Sequence, residues 1–378
     1  MNHYSEMSGC GLAGIVNRDR KKISGRFIFD SVVSMKERGN GMGAGFAAYG
    51  IYPDMAQYYA FHVMLDSLEP ESEVNAVLNR FFKIVKSEII PTKSVPSLYR
   101  KTKPPVFYRY FVEPKDDAML PMEAEEDLVV RAVMTINDKV KGAYVISSGK
   151  DMGAFKGVGH PEEIGEFFEI KEYEGYIWLA HTRFPTNTPG WWGGAHPFTL
   201  LDWAIVHNGE ITSYGTNKRY VEMYGYRCTL LTDTEVAAYI FDLLFRRHGL
   251  PIKAVFMAMA SPFWKDVEHY KDLEEEKLYR MAKMIRTVYA PAMLNGPFAM
   301  LFAFKDGMVG FNDRIKLRPF VAAVDHNTVY MASEESAIRV ICPNPEKVWM
   351  PKAGEPVMAF LHGRESKFIG EGDEGLPH

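Results

Sequence analysis

Apolar positions along the chain recur at two spacings, and the changes between them mark out the elements. Residues 10–16 (CGLAGIV) are a nearly unbroken apolar run of strand length, which predicts a short buried strand. Residues 26–38 predict a helix with Phe27, Phe29, Val32, Val33 and Met35 on its apolar face. The segment RGNGMGAGFAAYG (38–50) holds five glycines, which predicts a tight turn feeding a strand. Residues 56–65 are aromatic and β-branched enough for a strand. Over 72–90, Val74, Val77, Leu78, Phe81 and Val85 recur at helical spacing until Pro91. A strand at 106–112, an amphipathic helix at 127–142 and a strand at 143–149 follow. This alternation predicts an α/β insertion at about 55–155 inside a larger domain.

From residue 177 the pattern changes to strands and irregular loops. YIWLAHTRF and LLDWAIVHNGEI precede a helix over about 233–247, closed by Gly249. A charged helix lies within 264–290, and short strands resume from 298 to the end. Strands near both ends with helices between them predict a layered α/β sandwich. An apolar content of 47% allows a sizeable core. The net charge of −4 is spread along the chain without a basic stripe, so no nucleic-acid partner is expected. No apolar run approaches the ~20 residues of a membrane span. The N-terminus lacks the charged and apolar regions of a secretory signal. Cys10, Cys228 and Cys342 are odd in number and far apart, which fits neither a disulfide framework nor a CxxC clip. A reduced, cytoplasmic protein is expected. The histidines show no HxxxH pair, so no metal site is expected.

Four segments carry polar residues where a plain core would not: Gly9-Cys10-Gly11, HTRFPTNT (181–188), HNGEI (207–211) and LTDTEV (231–236). Each has a bland reading by itself. Cys10 reads as a buried thiol, Asn208-Gly209 as a hairpin turn, Asp233 as a helix N-cap and Arg183 as one half of an ion pair. Taken in order, with the RG of Arg38, the RPF at 318–320 and YMASEESAI at 330–338, they resemble the class II glutamine amidotransferase domain, an N-terminal nucleophile hydrolase. The resemblance runs from Cys10 to roughly residue 360. HTRFPTNTPGWWGGAHPF is most similar to the amidotransferase part of glutamate synthases. The aspartate that often follows the family's RG is missing here.

The resemblance implies an α+β fold, a four-layer αββα sandwich of the N-terminal nucleophile type with the α/β insertion. It implies that residues 1–9 are a propeptide and 10–378 the amidotransferase domain. Cys10 is then the nucleophile. A thiol has pKa ~8.5, and removal of residues 1–9 turns the Cys10 nitrogen from an amide into an amine that can take its proton. Asn208 and the Gly209 N–H are the oxyanion donors. Arg183 grips the glutamine α-carboxylate, Asp233 the α-ammonium, and Thr186 lies near the same end. Arg38 and His196 are supporting residues, and His196 reads equally well as a packed histidine. The loop 185–194, with two tryptophans between glycines, suits either a lid over the substrate or a loop held down by those tryptophans.

The implied substrate is L-glutamine, and no cofactor is expected in this chain. No P-loop, GxGxxG or cysteine cluster is present for acceptor chemistry. A separate glutamate-synthase-like subunit carrying FMN and iron–sulfur clusters is therefore expected to use the ammonia. Two other readings stay open: a hydrolase of another amide, and a non-catalytic regulatory subunit. The Arg183 and Asp233 pair speaks against the first, and Cys10 against the second.

Overall fold

In the computed structural model, which describes residues 9–185, 190–273 and 275–364, the apolar run after Cys10 folds as the strand Gly11–Asn17, buried along its whole length. A strand buried on both faces has to lie between two apolar layers. It pairs antiparallel with Ile177–Thr182 on one side and Thr328–Ala332 on the other. Ala44–Tyr49 and Met152–Gly157 extend this sheet beyond the first neighbour, and Val321–Asp325 and Lys347–Trp349 extend it beyond the second. A second antiparallel sheet runs in the order Phe198–Leu200, Trp203–Gly209, Phe298–Phe304, Gly307–Asn312 and Val357–Phe360.

The two sheets stack face to face. Leu12, Val16 and Leu179 of the first meet Val206, Leu301 and Met308 of the second in one core. The sheets come close at Gly14, where a Cβ would lie 2.6 Å from the Met308 sulfur. The outer face of the first sheet is covered by the helix Gly25–Ser34, which buries Ile28, Phe29 and Val32 with Phe46 and Trp178. The outer face of the second is covered by the helices Asp233–Asp242 and Ile252–Met259. Their Phe241 and Phe256 rings meet Phe302 at 5.1 and 5.4 Å. The layers are therefore αββα, the order expected from the sequence. Each fully buried large apolar side chain contributes roughly 1.5–3 kcal/mol.

Between Ala44–Tyr49 and Met152–Gly157, which are neighbours in the first sheet, the chain builds a third sheet. Its order is Phe82–Ile89, Val106–Pro114, Tyr59–Leu65 and Ala143–Ser147, backed by the helices Glu71–Phe81 and Glu125–Lys139.

The elements depart from the sequence reading at several places, among them the helices Tyr214–Met223 and Ile252–Met259, which it did not mark. The helix expected over 72–90 ends at Phe81, and Phe82–Ile89 is a strand paired with Val106–Pro114. Val74, Leu78 and Phe81 are the helix's buried residues, whereas Val85 is exposed. Ile84, Val85 and Ile89 favour a pleated surface, and the pairing decides their conformation. The helix near residue 30 turns Ile28 inward and leaves Phe27 exposed. The charged stretch 264–290 forms two helices, Trp264–Asp272 and Glu276–Val288, rather than one. Among the described residues no helix is long and apolar enough to cross a membrane.

Candidate active site

The register Gly11↔Thr182 brings Cys10 opposite the chain that leaves the strand Ile177–Thr182. There the Phe184 N–H donates to the Cys10 sulfur at 3.3 Å. Burial pushes the thiol above its ordinary value, and the Phe184 N–H, Arg183 and Arg318 offset this only in part. With its nitrogen still in the Gly9–Cys10 peptide, Cys10 is thus a neutral thiol that needs a base to become a nucleophile.

Arg183 follows the same strand. Its N–H donates to the Gly43 carbonyl at 2.8 Å, and its side chain packs over Gly43, where a Cβ would come 3.1 Å from Arg183 Cδ. The glycine-rich segment is what allows the arginine to lie down against the sheet. Burial lowers the Arg183 pKa, with the Cys10 and Asp233 charges opposing this.

From the second sheet, the strand Trp203–Gly209 delivers His207, Asn208 and Gly209. Gly209 has φ +146°, and a Cβ there would lie 1.9 Å from the Pro297 carbonyl oxygen, so no other residue fits this backbone. Asn208 is fully buried. Its Nδ2 donates to Ser333 Oγ at 3.3 Å, so the amide group expected to serve the reacting carbonyl faces Ser333 instead.

Asp233 is the first residue of the helix Asp233–Asp242, and the N-cap is Thr232, whose side chain accepts from the Glu235 N–H. The capping role read for Asp233 thus belongs to its neighbour, and the Asp233 carboxylate is left for the cavity. It accepts from the Ile211 N–H at 3.0 Å and the Thr234 hydroxyl at 3.2 Å, with His207 Nδ1 at 3.5 Å. Burial pushes this carboxyl up, but His207 and these hydrogen bonds outweigh it, and the net shift is downward.

Cys10, Arg183, Gly209, Asp233 and His196 line one cavity of about 380 Å³. His196 is buried, its ring 4.0 Å from that of His181 and its Nε2 2.9 Å from Thr234 Oγ1. Burial holds it well below its ordinary value, so near pH 7 it is a neutral imidazole with a single ring N–H. Arg38 lies behind Cys10. Its Nε donates to the Cys10 carbonyl at 3.0 Å and its Nη1 to Glu334 at 2.6 Å. Thr186, and Met1–Ser8 of the expected propeptide, lie outside the described residues.

The two tryptophans do not line the cavity. Trp192 is 7% exposed, packs on Phe107 and Phe167, and donates to Thr102 Oγ1 at 3.3 Å. Trp191 folds over Gly193 and Gly194 and meets Tyr144. Buried Lys156 donates to the Gly193 and Pro197 carbonyls at 3.0 and 3.2 Å. The described part of the loop is therefore held down by its tryptophans, and three of their aromatic and polar partners belong to the third-sheet segment.

Sequence reasoning did not single out Thr234, His207 or Ser333. A polar residue inside the otherwise apolar WAIVHNG strand was the signal for His207. Ser333 lies in the YMASEESAI segment that carries the resemblance, but its contact with Asn208, across more than a hundred residues of chain, has no local signal.

The sequence model of the family described as class-II glutamine amidotransferases matches residues 53–361, more than half of the chain. Cys10 precedes the matched residues, so its place in the site rests on geometry. A protein of Archaeoglobus fulgidus, itself described as uncharacterized, is 49% identical over 361 residues, covering 95% of this chain and 94% of that one. The isomerizing glutamine–fructose-6-phosphate aminotransferase of Sulfurisphaera tokodaii is 34% identical over 126 residues, 33% of this chain and 21% of that one. A solved structure of the allosteric regulatory enzyme of purine biosynthesis covers 93% of this chain and 47% of that one, at a TM-score of 0.48 and 16% identity. The chain thus spans about a fifth of the aminotransferase and about half of the purine enzyme. With an αββα sandwich whose cavity joins a thiol, a guanidinium and a carboxylate, and with that family match, the chain belongs to the class II glutamine amidotransferases.

Proposed function

We propose that the chain hydrolyses the side-chain amide of L-glutamine through a thioester on Cys10 and delivers the ammonia to a separate synthase. The observation that carries this reading is the convergence of Cys10, Arg183, Gly209 and Asp233 on one cavity. Arg183 holds the α-carboxylate and Asp233 the α-ammonium, which leaves the side-chain amide directed at the Cys10 sulfur. After removal of residues 1–9, the free α-amine of Cys10 takes the thiol proton. The sulfur attacks the amide carbon, and the oxyanion is held by Asn208 and the Gly209 N–H. The proton passes to the leaving nitrogen, the C–N bond breaks, and ammonia departs. Water then cleaves the glutamyl thioester to release glutamate and restore the thiol. Arg38 positions Cys10 through its carbonyl.

The acceptor is a glutamate-synthase-like subunit that binds FMN and iron–sulfur clusters. This finer reading is supported by the similarity of HTRFPTNTPGWWGGAHPF to that subgroup. Glutaminase assay of the wild type and of Cys10→Ala, with co-purification from the source cell, tests both levels. Glutamate release lost in the variant supports the chemistry, and unchanged release contradicts it. Recovery of a flavin and iron–sulfur protein supports the acceptor, and recovery of a different synthase replaces it.

A further inference from the structure

The YMASEESAI segment sets two consecutive polar residues behind the nucleophile. Glu334 reaches Arg38, and Ser333 reaches Asn208. Ser333 is 1% exposed and is tied to the strand that begins after Cys10. Its N–H donates to the Leu12 carbonyl at 3.0 Å, and its Oγ accepts from the Leu12 N–H at 3.2 Å. The same Oγ takes the Asn208 Nδ2 at 3.3 Å, while Asn208 Oδ1 is buried with no partner among the described residues. That oxygen lies 3.9 Å from the Cβ position of Gly9, on the side of the Gly9–Cys10 peptide.

The two ends of an amide have nearly the same shape, and hydrogen bonding chooses between them. With Nδ2 on Ser333, both lone pairs of the hydroxyl go to N–H donors and its own proton is left unused, while a buried carbonyl oxygen goes bare, which is unfavourable. A half-turn of the amide removes both defects. Ser333 O–H then donates to Asn208 Oδ1, and its Oγ still accepts from Leu12. A hydroxyl can play both parts at once from a single atom. Nδ2 then takes the place of Oδ1 and faces the nucleophile's side.

We infer that Ser333 is a positioning residue for the reaction, a buried hydroxyl that turns the Asn208 amide so that its N–H2 faces Cys10. This rests on the reading of Asn208 as the oxyanion donor. Neutron diffraction from crystals of the full chain shows the arrangement directly. A Ser333 deuteron on Asn208 Oδ1 is the expected result, and amide deuterons on Ser333 overturn the inference whatever the kinetics show. In the processed enzyme, Ser333→Ala is expected to lower kcat for glutamine hydrolysis by about 10–100-fold, somewhat less than loss of an oxyanion donor itself. KM should stay within about twofold, since the donor acts in the transition state. Ser333→Thr keeps the hydroxyl and should hold most of the rate. Ser333→Ala added to Asn208→Ala should cost little more than Asn208→Ala alone. Multiplying losses, or a Ser333→Ala variant with unchanged kcat, overturn the inference. If Asn208→Ala keeps its kcat while the Ser333 deuteron sits on Oδ1, the oxyanion reading falls and the orientation stands.

Discussion

At the scale of the residue, the site turns on a thiol that is not yet ionised and a carboxylate that is. Burial raises the Cys10 thiol. With residues 1–9 attached, its alkylation by iodoacetamide should therefore reach half-maximal rate at a pH above the ordinary ~8.5. A midpoint at or below that value would show that the precursor already holds an activated thiol. Asp233 is shifted the other way, so it stays charged down through pH 5. Asp233→Asn should cost roughly 1.5–3 kcal/mol of glutamine binding, about 10–150-fold carried mainly by KM. Because the carboxylate does not titrate there, the variant should keep the wild-type shape of kcat/KM between pH 5 and 7. A changed shape over that window would assign the acid limb to Asp233 after all. The charge and type of these residues were legible in the sequence. Their division of labour was less so. Thr232 takes the cap that Asp233 could have taken, a choice set by where the helix begins rather than by composition.

Elements account for the Trp191-Trp192 loop. A pair of tryptophans between glycines reads as a lid or as an anchor, and local sequence does not separate the two. The structure separates them through contacts made by distant segments: Phe107, Tyr144 and Thr102 receive the rings. The glycines serve close packing, since a Cβ on Gly193 would meet the Trp191 ring at 2.3 Å. Trp192→Ala removes a buried ring and should destabilise the protein by about 3–5 kcal/mol. It should also raise the KM for glutamine, because the anchored chain runs from the Arg183 side to His196. Denaturant titration and steady-state kinetics together check this, and a stable variant with unchanged KM would return the loop to a covering role. The same reliance on distant partners explains the misread helix after Phe81. Val85 continues the helical spacing of Val74 and Leu78, yet it sits at a register shift, between Ile84 and Lys86, in the strand that pairs with Val106–Pro114.

Across the whole molecule, the layered sandwich was legible because its strands are apolar on both faces and its helices carry one apolar stripe. The order of strands was not, because neighbours such as Gly11–Asn17 and Thr328–Ala332 are joined only by long-range pairing. Three buried histidines give the fold a pH signature. Burial pushes His62 and His181 down to about 3, and His196 also lies well below its ordinary value. All three stay neutral in the folded chain, whereas the unfolded chain protonates them near ~6.5. Below that pH the unfolded state binds more protons. Stability is then complete above about 6.5 and is lost as pH falls toward 3, with a slope of roughly 1.4 kcal/mol per pH unit for each histidine. Denaturant unfolding from pH 7 to 5 should show this fall, and a flat profile would mean that these rings are charged in the fold.

The central claim is that Cys10 carries the glutamyl group. Rapid acid quench of the processed enzyme during turnover with L-glutamine, followed by peptide mapping in a mass spectrometer, tests it most directly. A γ-glutamyl adduct on a peptide whose first residue is Cys10 is the expected result. Steady glutamine hydrolysis with Cys10 unmodified throughout, or with the adduct on Cys228 or Cys342, would contradict it.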